Sequence, residues 1–149
     1  MPITAKFNMD DVRKRIYAFR DKIEREEIIR LQKIGEKCVI HAHNVAPDVG
    51  FEDQTGNLRS SIGYMVFNNG IAIHTGYDQV NGSEGAKNGE ELARKVGEQT
   101  KGICLVVTAG MEYAVYVEAK GRDVITSAEM MAERELPEEL EKLVAKIKR

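Results

Sequence analysis

The sequence predicts an α+β fold: a small, mainly antiparallel sheet with a long N-terminal helix and a C-terminal helix packed on one face. Three observations carry that expectation. Apolar residues step by three or four from Val12 to Val45 and again from Met130 to Ile147, the period of a helix. Between them lie short β-branched and aromatic runs, two of which flank an Asn-Gly turn. The chain's 149 residues, 42% apolar and 31% charged, suit one folded domain rather than two cores or a disordered tail.

Val12, Ile16, Phe19, Ile23, Leu31, Ile34, Cys38 and Ala42 form the first helical stripe, interrupted where Glu27 falls near the seam. Asn8 or Asp10 can accept bonds from the first free amides, and Pro47 closes the element. Such a helix runs about 50 Å at 1.5 Å per residue, longer than a compact domain of this size needs. Either it breaks near Glu24–Glu27, or part of it projects and packs on something else.

Ser61–Phe67 and Ile71–Thr75 read as strands joined through Asn68-Asn69-Gly70, because Asn and Gly tolerate positive φ. The stretch Asn81–Gly89, rich in Gly, Asn and Ser, reads as a flexible loop inserted at about 77–101, with a short helix over Gly89–Gly97. Ile103–Thr108 is a continuous apolar run and reads as a central strand. Met111–Glu118 fits a helix or a strand equally well by period. Val124-Ile125-Thr126 reads as a last short strand, and Ser127 as the cap of the C-terminal helix. Pro137 either kinks that helix or starts a fresh one. A single domain over residues 1–149 is expected.

Net charge is −2, distributed as +3, −3 and −2 over residues 1–44, 45–101 and 102–149. That argues against bulk attraction to nucleic acid or anionic membrane, though not against a local basic strip. No apolar run approaches the roughly 20 residues that span a bilayer. Residues 1–20 lack the apolar core of a secretory signal, and two cysteines make no disulfide framework, so a reduced, intracellular setting is expected.

Signals for chemistry are weak. Cys38, His41 and His43 suggest a metal, but the third points away from the first two on a helix. Ser60 or Ser61 can be paired on paper with His41, His43 or His74, yet no Gly-x-Ser-x-Gly elbow or phosphate-binding Gly-x-x-x-x-Gly-Lys loop is present. No enzymatic activity, metal or cofactor is expected. The basic residues Arg13, Lys14, Arg15, Arg20, Lys22, Arg25 and Arg30 are interleaved with Asp10, Asp11, Asp21, Glu24, Glu26 and Glu27. An ion-paired, solvated helix face explains them, and a small nucleic-acid-binding module using that strip is the alternative.

Two clusters are more specific. Thr55-Gly56-Asn57-Leu58-Arg59-Ser60-Ser61-Ile62 compresses a capping residue, a glycine, a buried leucine, a charge and two hydroxyls directly before a strand. About 50 residues later, Tyr113-Ala114-Val115-Tyr116-Val117-Glu118 places two tyrosines beside a carboxylate, an amphipathic surface common at interfaces and in ordinary cores.

Together, in this order, they resemble the small head–tail connector or tail-completion (neck) proteins of long-tailed bacteriophages, the tail-component type. The shared pattern is a helix ending in Ala-Pro (Ala46-Pro47), a Thr-Gly-x-Leu-Arg-x-Ser-Ile turn, strands, a Tyr-Ala-x-Tyr-Val-Glu segment and a C-terminal helix. The resemblance covers roughly Leu31 to Leu143. The sequence departs from the family where Glu118-Ala119-Lys120-Gly121 replaces Glu-Phe-Gly-Thr, and in a longer link between Pro47 and Thr55.

The resemblance implies a phage or prophage virion structural protein, made in the bacterial host cytoplasm. Its partners would be copies of itself in a ring, often a hexamer, and other connector or tail proteins. Genome DNA would only pass through the lumen, and no membrane is involved. It makes Thr55, Gly56, Leu58, Arg59, Ser61, Ile62, Tyr113, Ala114, Tyr116, Val117 and Glu118 the motif and interface candidates, and favours a helix for the second segment. Arg59 is expected to pair with Glu118. The long helix and the 77–101 region are expected to reach neighbouring subunits.

Overall fold

A computed structural model describes residues 8–44, 50, 56–77 and 83–148. Helix α1 (Met9–His43) is unbroken. Asn8 Oδ1 accepts from the Asp10 amide at 3.0 Å, and Asp10 and Asp11 suit the positive end of the dipole. The helix stops at Asn44, while Ala46 and Pro47 lie outside the described residues. Of the two expected outcomes, projection occurs and a break does not.

A one-turn helix α2 (Asn57–Ser60) follows Gly56, which takes φ 79°. It delivers the chain into β1 (Ile62–Asn68), and the hairpin partner is β2 (Ile71–Gly76). Between them Asn69 and Gly70 adopt φ 51° and 82°, the paired positive values that match strand twist. β3 (Ile103–Ala109) pairs antiparallel with the other side of β1, giving the order β2-β1-β3. The central strand is therefore β1, buried from Ile62 through Phe67, and β3 is an edge. The continuous apolar run that suggested a central position has another cause: β3 is covered on both faces.

One face of the sheet meets α1 and α5 (Thr126–Ile147), as expected. Tyr64 and Val66 of β1 and Leu105 and Val107 of β3 pack there against Ile34, Cys38, Val39 and Ala128. The opposite face carries α3 (Ser83–Gly97), longer than the short helix expected over Gly89–Gly97. Met65 and Phe67 pack there with Ala93, Cys104 and Val106.

The glycines read as loop signals are α3's contact surface. Gly85, Gly89, Ala93 and Gly97 recur every four residues along one side of the helix. A Cβ at Gly85 would lie 2.0 Å from the Asn57 carbonyl oxygen, and one at Gly89 2.3 Å from that of Ser61. Each glycine costs about 1 kcal/mol of helix propensity, offset here by an approach no larger residue allows.

Residues 124–126 are not a strand: Val124 and Ile125 form a bend and α5 begins at Thr126. The β-branched run is overridden by capping and by burial of Val124, 1% exposed. Pro137 lies inside α5, which continues through it. α5 runs antiparallel to α1, joined by Lys146–Glu26 (2.7 Å), Lys33–Glu139 (3.5 Å) and Lys37–Glu135 (3.0 Å). No helix among the described residues is long and apolar enough to cross a membrane.

Candidate functional site

The two motif segments meet. Leu58 and Ile62 from the first, and Ala114 and Val117 from the second, pack with Ala42 of α1 and Val124 in one apolar cluster. Thr55 lies outside the described residues. The second segment is a short helix, α4 (Ala114–Ala119), so its open choice between helix and strand resolves as helix. With Ala114 buried and Val117 half-buried on the inner side, Val115 and Tyr116 face outward at 73% and 69% exposure. Tyr113 is partly exposed beside them. Val115, absent from the sequence candidates, is the most exposed apolar residue of this patch.

The polar motif residues hold the junction together. Gly56 supplies the positive φ that starts α2, and its carbonyl accepts from the Ser60 amide at 2.9 Å. Ser61 is fully buried, and its hydroxyl donates to the Leu58 carbonyl at 2.7 Å. Arg59 and His43 exchange bonds. The guanidinium donates to the His43 carbonyl, and His43 Nε2 sits 2.9 Å from the Arg59 carbonyl, locking the end of α1 to α2.

Glu118 has a different partner from the one expected. Its Oε1 accepts the amides of Val124, Ile125 and Thr126 at 3.0, 2.8 and 3.2 Å, and Oε2 accepts the Thr126 hydroxyl at 2.9 Å. These are free donors at the start of α5, so Glu118 caps that helix from a neighbouring one. Arg59 and Glu118 form no ion pair, because each is claimed by backbone closer to hand. Ser127, expected as the cap, sits in the first turn and donates its own hydroxyl and amide to Asp123.

The residues that hinted at chemistry have structural partners. Cys38 Sγ lies 3.6 Å from the Ala128 carbonyl, and burial pushes its thiol pKa up. His41 Nε2 is 2.8 Å from Ser127 Oγ, which donates to Asp123. This brings Asp, Ser and His together in the wrong order for a nucleophile: the acid holds the hydroxyl rather than orienting the imidazole. No group of three metal-ligating side chains gathers among the described residues. Tyr77, driven up to about 12 by burial and opposed by its bond to Thr108, anchors the α3 face. Thr108 in turn donates to the Gly89 carbonyl at 3.0 Å.

The remaining surface of note is the start of α1. Every residue from Asn8 to Lys22 is exposed except Val12, which is half-buried. Ile16, Tyr17 and Phe19 stand 59%, 52% and 52% exposed. The basic strip divides here. Arg30 pairs with Glu26, and Lys33 and Lys37 with α5, while Arg13, Lys14 and Arg15 form no ion pair among the described residues. The arm, the α4 patch and the motif junction are surfaces and braces rather than a pocket of convergent titratable groups.

Comparison with protein-family models, curated proteins and solved structures finds no match for this chain.

Proposed function

We propose that this chain is a structural subunit of the head–tail junction of a long-tailed bacteriophage or prophage, a tail-completion or neck protein that acts by assembling into a ring. The reading begins from the resemblance of the Thr55–Ile62 and Tyr113–Glu118 segments to that family. The single observation that supports it most is the first third of α1: an apolar-striped helical arm standing clear of the body it belongs to. Leaving about 20 Å of helix with Ile16, Tyr17 and Phe19 each more than half exposed is unfavourable for an isolated subunit and sensible for one that docks. The outward Val115 and Tyr116 give a second contact surface on the motif junction itself. On this reading the protein is virion-borne after synthesis in the host cytoplasm, contacts connector or tail proteins, and has no enzymatic role.

The test is deletion of its gene from the inducible phage, followed by electron microscopy and mass spectrometry of the particles. Unjoined heads and tails, and the protein in wild-type particles, are expected. Normal virions lacking the protein would contradict the reading.

Arg13, Lys14 and Arg15, exposed and in no ion pair among the described residues, favour one alternative, a nucleic-acid-binding module. Duplex affinity falling with salt at a log–log slope of about 3 or more would support it. Salt-indifferent or absent binding supports the structural reading.

A further inference from the structure

We infer that the α1 arm of one copy docks in the groove between α5 and the outer edge of β3 on a second copy. The inference deepens the self-assembly reading above and rests on it.

The arm presents Met9, Val12, Ile16 and Phe19, alternating steps of three and four that keep them on one side of a helix, while Ile23, next on that side, is half-buried where Phe19 and Ile23 begin the seam with Leu143 and Ile147 of α5. Arg13 and Arg20 border that stripe on one side and Arg15 and Lys22 on the other; Asp10 and Asp21 fall on the far side, Asp21 3.4 Å from Arg20, and Asp11 lies one turn before Arg15 on the outer side of that margin. The stripe is thus apolar with two basic margins. Two arms pairing with each other would oppose those margins, arginine against arginine, in either orientation. A symmetric arm–arm coil is disfavoured, and the acceptor should be apolar with an acidic rim.

The chain carries such an acceptor. Between α1, α5 and β3 lies a groove of about 600 Å³ whose floor includes Leu31, Ile34, Leu105, Val107, Ala132 and Leu136. Glu129 and Glu133, one helical turn apart and exposed, stand on its rim and take part in no ion pair among the described residues. An amphipathic helix laid in such a groove, with anchors at i, i+4 and i+7 (Val12, Ile16, Phe19), is a standard recognition geometry.

An arm cannot reach the groove of its own chain. α1 is continuous, and Glu26 already lies beside Lys146 near the end of α5. The arm therefore runs on past α5, with Ile16 about 25 Å along the helix from the groove at Leu31–Ile34. The occupant is a second copy, and a contact joining two different patches propagates head to tail, closing into a ring when the rotation permits.

The experiment measures association of the full chain by sedimentation velocity, with thermal melts confirming that each variant folds. Arg13→Glu with Arg20→Glu makes arm and groove both acidic, and Glu129→Lys with Glu133→Lys makes both basic. Each double variant alone should associate at least about tenfold more weakly than wild type. Mixing them one to one, or combining all four changes in one chain, should restore association. Ile16→Ser should weaken it without charge change. Wild-type-like association of every variant, or failure of the mixture to recover, overturns the arm–groove contact but leaves self-assembly standing. A wild-type chain monomeric to about 1 mM overturns both. The expected pattern in a protein missing from phage particles would sink the phage reading alone.

Discussion

Helix α3 and the first third of α1 invert what their sequences suggest. α3 contains Gly85 and Gly89 in its interior, weak helix formers, yet it lies against backbone on one side and packs on the sheet face that carries Met65 and Phe67. The arm of α1, rich in residues that favour helix, buries almost nothing. Packing, not propensity, makes α3 a helix, whereas propensity, capping by Asn8 and continuity with the packed remainder sustain the arm. Helical content and structural importance are separate properties, and the second is set by what a helix touches.

The contrast predicts a hierarchy of mutational costs. Adding one methyl group at Gly89 should be the most damaging change: Gly89→Ala forces α3 off the Ser61 carbonyl, and denaturant unfolding should register a loss of about 3 kcal/mol despite the better helix former. A stable Gly89→Ala protein would mean the glycines are incidental. Next, Glu118→Ala should cost about 1–2 kcal/mol by freeing three amides and a hydroxyl at the start of α5, measured in the same way. Glu118→Gln, which keeps one acceptor oxygen, should recover part of that.

A smaller effect concerns the seam that holds the rest of α1. Burial raises the Glu139 carboxyl pKa, but Lys142 and Lys33 more than reverse this and leave it below the usual 4.5. Because the folded-state pKa is depressed, the stabilisation is complete above about pH 4.5 and is lost as pH falls through the folded value. Glu139→Gln should flatten the acid limb of a stability–pH profile, and an unchanged limb would remove Glu139 from the seam's account. Smallest of all, Ile16→Ala should leave monomer stability within about 0.5 kcal/mol, since the arm contributes no core. Hydrogen exchange should then show fast amides over 9–20 and slow ones over 31–42.

Much of the fold is legible in the sequence where local rules and tertiary needs agree. Asn69-Gly70 specifies its turn by conformational tolerance alone, and the stripes of α1 and α5 follow from one-sided burial. Legibility fails where one signal has two physical origins. Glycines spaced by four serve close packing as readily as a flexible loop, and the period itself, Gly85-Gly89-Ala93-Gly97, was the available cue. An apolar strand results from two covered faces as readily as from a central position, which misplaces β3. At the candidate site, the four-residue step from Leu58 to Ile62 and the shared side of Ala114 and Val117 mark two inner faces, but which element each face meets is set by tertiary packing. The destinations of Arg59 and Glu118 do not follow from charge, because neighbouring backbone donors and acceptors outcompete an ion pair between partly exposed groups.

On the proposed reading, the protein works through surfaces it offers to copies of itself. Native mass spectrometry of the purified chain across a concentration series, with electron microscopy of the same samples, tests it most directly. A single closed stoichiometry appearing with concentration, seen as rings, is the predicted result. A species that stays monomeric throughout would contradict it, and growth without closure into a continuum of sizes would contradict the ring.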